Sequence, residues 1–405
     1  MIEATAKTYR NAYSGLSRET WLLSLIMLIN RSGTMVIPFM TLYLTSPKMG
    51  YSIGQAGYVY GLFGAGAFTG AWLGGRLTDK IGFYPVQLFT LFGGGLLFLA
   101  LGQMRSFPLI CTFTFLLSFV NEAFRPANST AIAFYSKDEN RTRSYSLNRL
   151  AINLGWALGS AVGGVLAHIN YELLFWVDGC TNLAAVLLMW LMLKPVNYKP
   201  ERHSAEGKPI AMTSAYRDRT YLFFILAMII FASCFFQLFT NLPVHFKKNF
   251  HLSEPFIGLL MSINGIIIAV VEMVLIYKLD GRRNNLVYIS AGVALVSLAF
   301  FSLHIPLDGA LLAIGMIVTI TFGEMLSMPF MNSYWITRTQ PNNRGQYAAM
   351  YTMAWSLAQT LGPVAGAQIA QHFGFWVLWW VVGVVALLSA LLFRRLYRNS
   401  QPLGI

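Results

Sequence analysis

The sequence predicts an all-α membrane protein with twelve transmembrane helices in two pseudo-symmetric six-helix bundles, both termini being cytoplasmic. Three observations predict it. Of 405 residues, 56% are hydrophobic and 11% charged, less than half the charge of an average soluble domain, so the chain lacks the polar surface to cover itself in water. Apolar windows of about 20 residues, the length that crosses a bilayer, fill nearly all of it. Lysine and arginine then gather on one side of those windows.

Broken at charges and turn residues, the spans run 18–45, 53–75, 84–104, 107–135, 145–168, 172–193, 220–246, 254–277, 285–303, 309–335, 346–371 and 374–393. Residues 1–17 are polar and lack the apolar run and cleavage site of a signal peptide, so the N-terminus is expected in the cytoplasm. Cytoplasmic loops of membrane proteins collect basic residues. With both ends inside, the cytoplasmic segments hold 22 of the 29 basic residues, the outer loops hold Lys48, Arg105, Lys247 and Lys248, and three arginines lie within spans. Orientation and attraction to anionic lipid headgroups therefore account for the net charge of +13, and no nucleic-acid partner is implied. The expected location is a cell (inner) membrane, crossed many times by a monomer. Cys111, Cys180 and Cys234 fall in apolar spans without ligand spacing, so no disulfide framework, metal site or cofactor is expected.

One long polar stretch, Lys194 to Arg219, divides the chain near its middle. It predicts an N-terminal bundle over 1–193, a cytoplasmic linker over 194–219 and a C-terminal bundle over 220–405. An offset of 203 residues aligns spans four and five with ten and eleven: Pro126 with Pro329, Asn140-Arg141 with Asn343-Arg344, Leu158-Gly159 with Leu361-Gly362, Gly163 with Gly366 and Ala167 with Ala370. A parallel repeat of six spans is the arrangement of transporters whose halves rock about a central site.

The loop after span two reads Gly75-Arg76-Leu77-Thr78-Asp79-Lys80-Ile81-Gly82. It resembles the loop signature of the major facilitator superfamily, departing from it where Phe83 and Tyr84 replace a basic pair. A degenerate counterpart, Lys278-Leu279-Asp280-Gly281-Arg282-Arg283, follows span eight. A carboxylate at a helix end can accept bonds from free N–H groups and favours the positive end of a neighbouring helix; the resemblance implies that Asp79, with Gly75 and Gly82 around it, holds a gate. Span five carries Gly155, Gly159 and Gly163 at four-residue spacing, similar to the family's antiporter motif with Ser160 in place of its proline, whereas Pro363 keeps the proline in span eleven. Small residues at that spacing also serve close helix packing, the reading preferred for Gly66, Gly70 and Gly74. The resemblance to the drug:proton antiporter group implies a secondary transporter working by alternating access, exporting amphipathic organic compounds against protons. A proton-coupled importer of a polar metabolite, peptide or sugar, or a lipid carrier, shares every feature except the antiporter-like glycines. The six histidines are scattered and no H-E-x-x-H, G-x-S-x-G or P-loop occurs, so an enzyme is not expected.

Ionisable groups at membrane depth cost several kcal/mol and mark function. Here they are Arg31, Glu122, Arg125, Arg149, Asp178, Glu272 and Glu324. Glu122 and Arg125 are three apart on one helix, close enough to pair; freed from the arginine, the glutamate can take a proton. Glu324 has no basic residue one turn away and is the first candidate for reversible protonation. In the family the central cavity is lined by spans one, four, seven and ten. That implies Arg31, Asn30, Gln237 and Asn332 as substrate-binding candidates, Arg31 either holding an anionic group or pairing with an acid such as Glu122. Arg149 and Asp178 are expected to neutralise each other, Glu272 to reach the interface, and Trp156 and Trp335 to pack, with stacking on an organic substrate as the other role. The implied partners are a small-molecule substrate, protons and membrane lipids.

Overall fold

A computed structural model of the chain describes residues 15–137, 141–196, 214–279, 281–338 and 344–400. Among them the α-helices are α1 (Arg18–Ser32), α2 (Val36–Leu44), α3 (Ile53–Ile81), α4 (Phe83–Gln103), α5 (Phe107–Glu122), α6 (Phe124–Tyr135), α7 (Arg141–Ile169), α8 (Glu172–Met192), α9 (Arg219–Phe235), α10 (Asn241–Lys248), α11 (Glu254–Leu279), α12 (Asn285–Ser302), α13 (Gly309–Thr337) and α14 (Arg344–Ser400). Short 3-10 turns occupy Ala215–Arg217 and Phe236–Phe239, and the described residues contain no strand. Among the described residues, ten stretches are long and apolar enough to cross a membrane. Helix α3 is not among them because its eight glycines dilute its hydropathy. Residues 347–400 count once, although Gly374, at φ 83°, breaks α14 between the two spans read from the sequence. Most of the expected linker, Asp280 of the second loop, and Asn140 and Asn343 of the repeat lie outside the described residues.

The chain forms two compact units. The first takes the described residues up to Val36 and from Gly66 to the end of α8; the second takes Ile37–Ala65 and everything from residue 214. In the first, α1 packs on α7 and α8, and α4 on α5 and α8, around a core that includes Leu23, Ile26, Phe83, Leu91, Phe124 and Met189. In the second, α12 packs on α13 and α14, and α9 on α14, around fully buried Phe224, Phe231, Phe300, Trp379 and Phe393. Phe300 and Trp379 stack with centroids 5.6 Å apart.

Lipid is as apolar as leucine, so helices in a bilayer associate through close packing and hydrogen bonds, and small residues mark where backbones meet. A Cβ on Gly66 would lie 2.5 Å from the Phe115 carbonyl oxygen and one on Gly74 2.5 Å from Ala123 Cα, while one on Gly70 would overlap the Phe119 carbonyl oxygen. The four-residue series of α3 is thus a backbone contact with α5. In the second unit Gly292 and Gly323 meet: a Cβ on either would stand 2.6 or 2.7 Å from the other's carbonyl oxygen.

Three spans are interrupted. Span one stops at Ser32 and resumes at Val36; span four stops at Glu122 and resumes at Phe124; span seven passes through the turn at Phe236–Phe239. The second interruption has a local cause, since Pro126 has no N–H to offer the carbonyl four residues back, that of Glu122. Pro329 stands at the equivalent place inside α13, which continues past it.

At the start of α9 Asp218 accepts the Tyr221 N–H at 3.0 Å and so caps the helix. The same carboxylate receives Arg338 Nη2 at 2.9 Å, from the end of α13, and the Tyr347 hydroxyl at 3.0 Å, from α14. Burial acts to raise the Asp218 pKa, but the hydrogen bonds from Arg338, Tyr221 and Tyr347 outweigh it and leave it below the ordinary carboxylate value.

Two predictions follow from this packing. Gly70→Ala should cost about 1–3 kcal/mol, because backbone blocks the new methyl, whereas Gly315→Ala, which meets nothing within 4 Å, should be neutral or stabilise by up to ~1 kcal/mol; thermal melting of the detergent-purified variants checks both. Because the folded pKa of Asp218 is depressed, its contribution is complete above the unfolded value of about 3.9 and is lost as pH falls through the folded value. Asp218→Asn should therefore lower the melting temperature by a few degrees at pH 7, consistent with about 1 kcal/mol for a partly exposed pair, and the gap to wild type should narrow below about pH 4.

Candidate functional site

The interrupted stretch of span one sets the site of the first unit. Breaking a helix at membrane depth leaves backbone groups that no water can satisfy. The N–H groups of Met35 and Val36, at the start of α2, are taken by the two carboxylate oxygens of Asp178 on α8, at 3.0 and 2.8 Å. Asp178 is fully buried. The expected Asp178–Arg149 pair is therefore replaced by a carboxylate cap, and Arg149 is exposed on α7. One turn further along α8, Asn182 donates to the Asp178 carbonyl at 2.8 Å and accepts from Asn30 Nδ2 at 2.9 Å. Asn30 thus fastens α1 to α8.

Behind this anchor, α7 closes on α1. A Cβ on Gly155 would lie 2.6 Å from Arg31 Cβ and one on Gly159 2.7 Å from the Ser32 carbonyl oxygen. The antiporter-like glycines, with Gly163 also buried, let the two backbones touch at the turn that carries Arg31. Helix α1 cannot shift there without α7 yielding.

Arg31 lines a cavity of ≈170 Å³ with Met27, Arg125, Asn128, Ser129, Ile132, Tyr145, Asn148, Ile152 and Trp156. Its Nε is buried and makes no hydrogen bond among the described residues. Arg125 Nε pairs with Glu122 at 3.1 Å across the break of span four; Glu122 also attracts Arg31, which Arg125 repels. The sequence-derived trio of Arg31, Glu122 and Arg125 is brought together. Around it runs a carboxamide chain that charge-based reading passes over: Gln87 donates to Asn128 Oδ1 at 3.2 Å and Asn128 to Asn148 Oδ1 at 3.3 Å. Asn128 is 3% and Asn148 8% exposed. Tyr145 donates to the Ser129 carbonyl at 2.9 Å. Trp156, expected to pack, lies on the cavity wall.

In the second unit Gln237 occupies the 3-10 turn of span seven. Its Nε2 donates to the Gly362 carbonyl at 2.7 Å and the Ser233 carbonyl at 3.2 Å, and its Oε1 accepts from Asn241 at 2.6 Å. These bonds engage the amide in joining α9 to α14 at Gly362 and Gly366. Glu324 is half-buried in α13, with Asn264 Nδ2 of α11 at 3.3 Å from its Oε2 and 2.8 Å from Thr321 Oγ1. Sequence reading left out Asn264, although an asparagine in the middle of an apolar span is a visible signal. Asn332 is exposed and accepts from Trp335 Nε1 at 3.3 Å. Glu272, expected to reach the interface, is only 5% exposed.

At the end of α3, Asp79 is exposed and Thr78 turns back to the Gly74 carbonyl at 2.7 Å. Arg76 lies over the Trp72 ring, 3.9 Å from its centroid. Gly82 has φ 88°, a conformation that requires glycine between α3 and α4. Gly75 is half-buried, its Cβ direction meeting Pro126 at 4.0 Å.

Residues 20–359 and 328–404 match the family model of the Major Facilitator Superfamily. The chain is similar to the Na(+), Li(+), K(+)/H(+) antiporter of Planococcus maritimus, at 22% identity over 91% of this chain and 93% of that one. It is similar to Multidrug resistance protein 1 of Bacillus subtilis, at 23% identity over 60% and 62%. Among solved structures, a POT family transporter in complex with a thioalcohol-conjugated peptide superposes with TM-score 0.83, covering 96% of this chain and 97% of that one at 14% identity. The nucleoside transporter NupG gives TM-score 0.76 at 15% identity, with 94% and 100% covered. A multi-pass all-helical fold, whole-chain agreement with the family model and relatives that are transporters make one conclusion plain: this chain belongs to the major facilitator superfamily of membrane transporters.

Proposed function

We propose that this chain is a proton-coupled secondary transporter of organic compounds, working by alternating access in a cell (inner) membrane from twelve spans with both termini in the cytoplasm. The observation that carries the coupling is the Glu122–Arg125 pair, whose arginine lines the cavity together with Arg31. A carboxylate at that depth stays charged while an arginine faces it; drawn away from that partner, it favours the protonated form. Glu324, held by the neutral donor Asn264, is the second protonatable group, and Asn332 the cargo contact of that unit. Asp79, with Gly75 and Gly82 at the turn, is the gate, and residues 194–219 join an N-terminal bundle (1–193) to a C-terminal one (220–405).

Export of amphipathic compounds is the first reading of direction, supported by the likeness to a multidrug resistance protein and a cation/proton antiporter. The glycines of α7 add little to it, since their contacts with Leu28, Arg31 and Ser32 serve packing. Uptake of a polar compound is a second reading, favoured by the two arginines and the buried carboxamides of the first-unit cavity.

In membrane vesicles, cargo accumulation should collapse with an uncoupler, and it should occur in everted vesicles for export or right-side-out vesicles for uptake. Glu324→Gln should leave a folded protein that moves cargo down its gradient but loses at least tenfold of the proton-driven accumulation. Undiminished proton-driven transport in that variant would remove Glu324 from the coupling.

A further inference from the structure

We propose that the first-unit cavity is the subsite for an acid group on the cargo, so that the compound carried is a small organic monoanion, a carboxylate, sulfonate or phosphonate on an apolar or aromatic body. The inference rests on the transporter reading and adds the charge of the cargo to it. Its basis is the charge balance of the cavity. Arg31 and Arg125 both line it, and the carboxylate beside them, Glu122, is paired with Arg125 at 3.1 Å. One positive charge is left over, and Arg31 Nε is buried without a hydrogen bond among the described residues. A half-buried guanidinium whose Nε has no partner is stabilised most by a planar or tetrahedral oxyanion that takes two of its N–H donors at once.

The rest of the lining matches such a group. Asn128 and Asn148 are linked to each other and to Gln87, so the wall beside the arginines is polar but uncharged. It can donate to oxyanion oxygens without repelling them. A cation would meet two arginines, and a neutral apolar ligand would leave Arg31 Nε unpaired. Trp156, Tyr145 and Ile152, on the same face of α7 as Asn148, also line the cavity and offer apolar surface to a ring or short apolar chain. At ≈170 Å³ the cavity holds the volume of about six water molecules, room for a head group and the first atoms of its body. The backbone contacts of Gly155 and Gly159 with the Arg31 turn fix where the guanidinium stands. An acid group arriving there competes with Glu122 for the same arginines, which connects cargo binding to the coupling pair.

The test is calorimetric titration of the full-length protein in detergent with three ligands of one shape: benzoate, benzamide and benzylammonium. Benzoate should bind at least tenfold tighter than benzamide, with benzylammonium the weakest. Arg31→Gln should abolish the preference for benzoate, and Arg31→Lys should keep part of it. Asn148→Asp adds a carboxylate to the cavity without touching Arg31; it should abolish the preference too, and decides the matter if Arg31→Gln does not fold. Benzamide or benzylammonium binding as tightly as benzoate overturns the proposal, as does absent benzoate binding or a preference that survives Asn148→Asp. Flux assays in proteoliposomes separate this from the transporter reading. Benzoate bound but not moved keeps the subsite and counts against the transport of such acids, whereas benzylammonium moved with no benzoate bound overturns the subsite and keeps the transporter.

Discussion

The constraint on which the rest of this structure depends is that a helix broken inside a membrane must find partners for its own backbone. Span one breaks between Ser32 and Val36, and the Asp178 carboxylate takes both exposed N–H groups. A buried carboxyl group without a cation is accommodated there because each of its two oxygens accepts a backbone N–H. The consequence reaches the site directly. Asp178 and Asn182 hold both sides of the break against α8, the glycines of α7 fix the turn between, and Arg31 is left with its stem packed and its Nε unbonded on a cavity wall. A straight helix would have offered no such rigid, incompletely paired position.

The 203-residue repeat carries the same problem into the second unit and solves it with different residues. Gly33, in the break of span one, maps onto Phe236, the first residue of the 3-10 turn of span seven. Asp178 maps onto Val381, so no acid is available. Gln237 supplies the polar atoms instead, bonding the carbonyls of Ser233 and Gly362. Gly159 and Gly362, equivalent under the offset, both press against a span that breaks: one on Ser32, the other on Ser233. Close approach at a glycine and a neighbouring break are the shared features; the chemistry at the break is where the units diverge. The first unit retains charges, and the second is mostly neutral around Gln237.

Much of this was legible in the sequence because the bilayer makes the code simple. Long apolar runs, their boundaries and the basic loops needed nothing beyond hydropathy and charge, and the helices fall where the windows fell. Membrane-depth charges were found as a set, and Arg31, Glu122 and Arg125 do converge. Their partners were harder to name. Pairing Asp178 with Arg149 matched charge to charge, whereas the structure matches a carboxylate to backbone N–H groups that exist only because span one breaks; Pro38, which has no N–H to offer the Thr34 carbonyl, is the sign of that break in the sequence. Asn128, Asn148 and Asn264 escaped for another reason: a carboxamide costs less than a charge at depth, so a search for expensive residues does not stop at it. Gln237 was noticed, but its position on span seven said nothing of the carbonyl it would meet on α14. Asp218 was treated as one residue of a polar segment, although its place just before an apolar run is a helix-start signal.

A rigid turn presents Arg31, a broken span presents Glu122 and Arg125, and the proposed function ties proton movement to cargo movement through that cluster. Proton flux recorded with a pH-sensitive dye trapped in proteoliposomes reads that tie most directly. On imposing a cargo gradient at zero membrane potential and equal pH, the account predicts a proton current that follows the gradient in sign and disappears in Glu122→Gln. Cargo moving at the wild-type rate with no change in internal pH would contradict it.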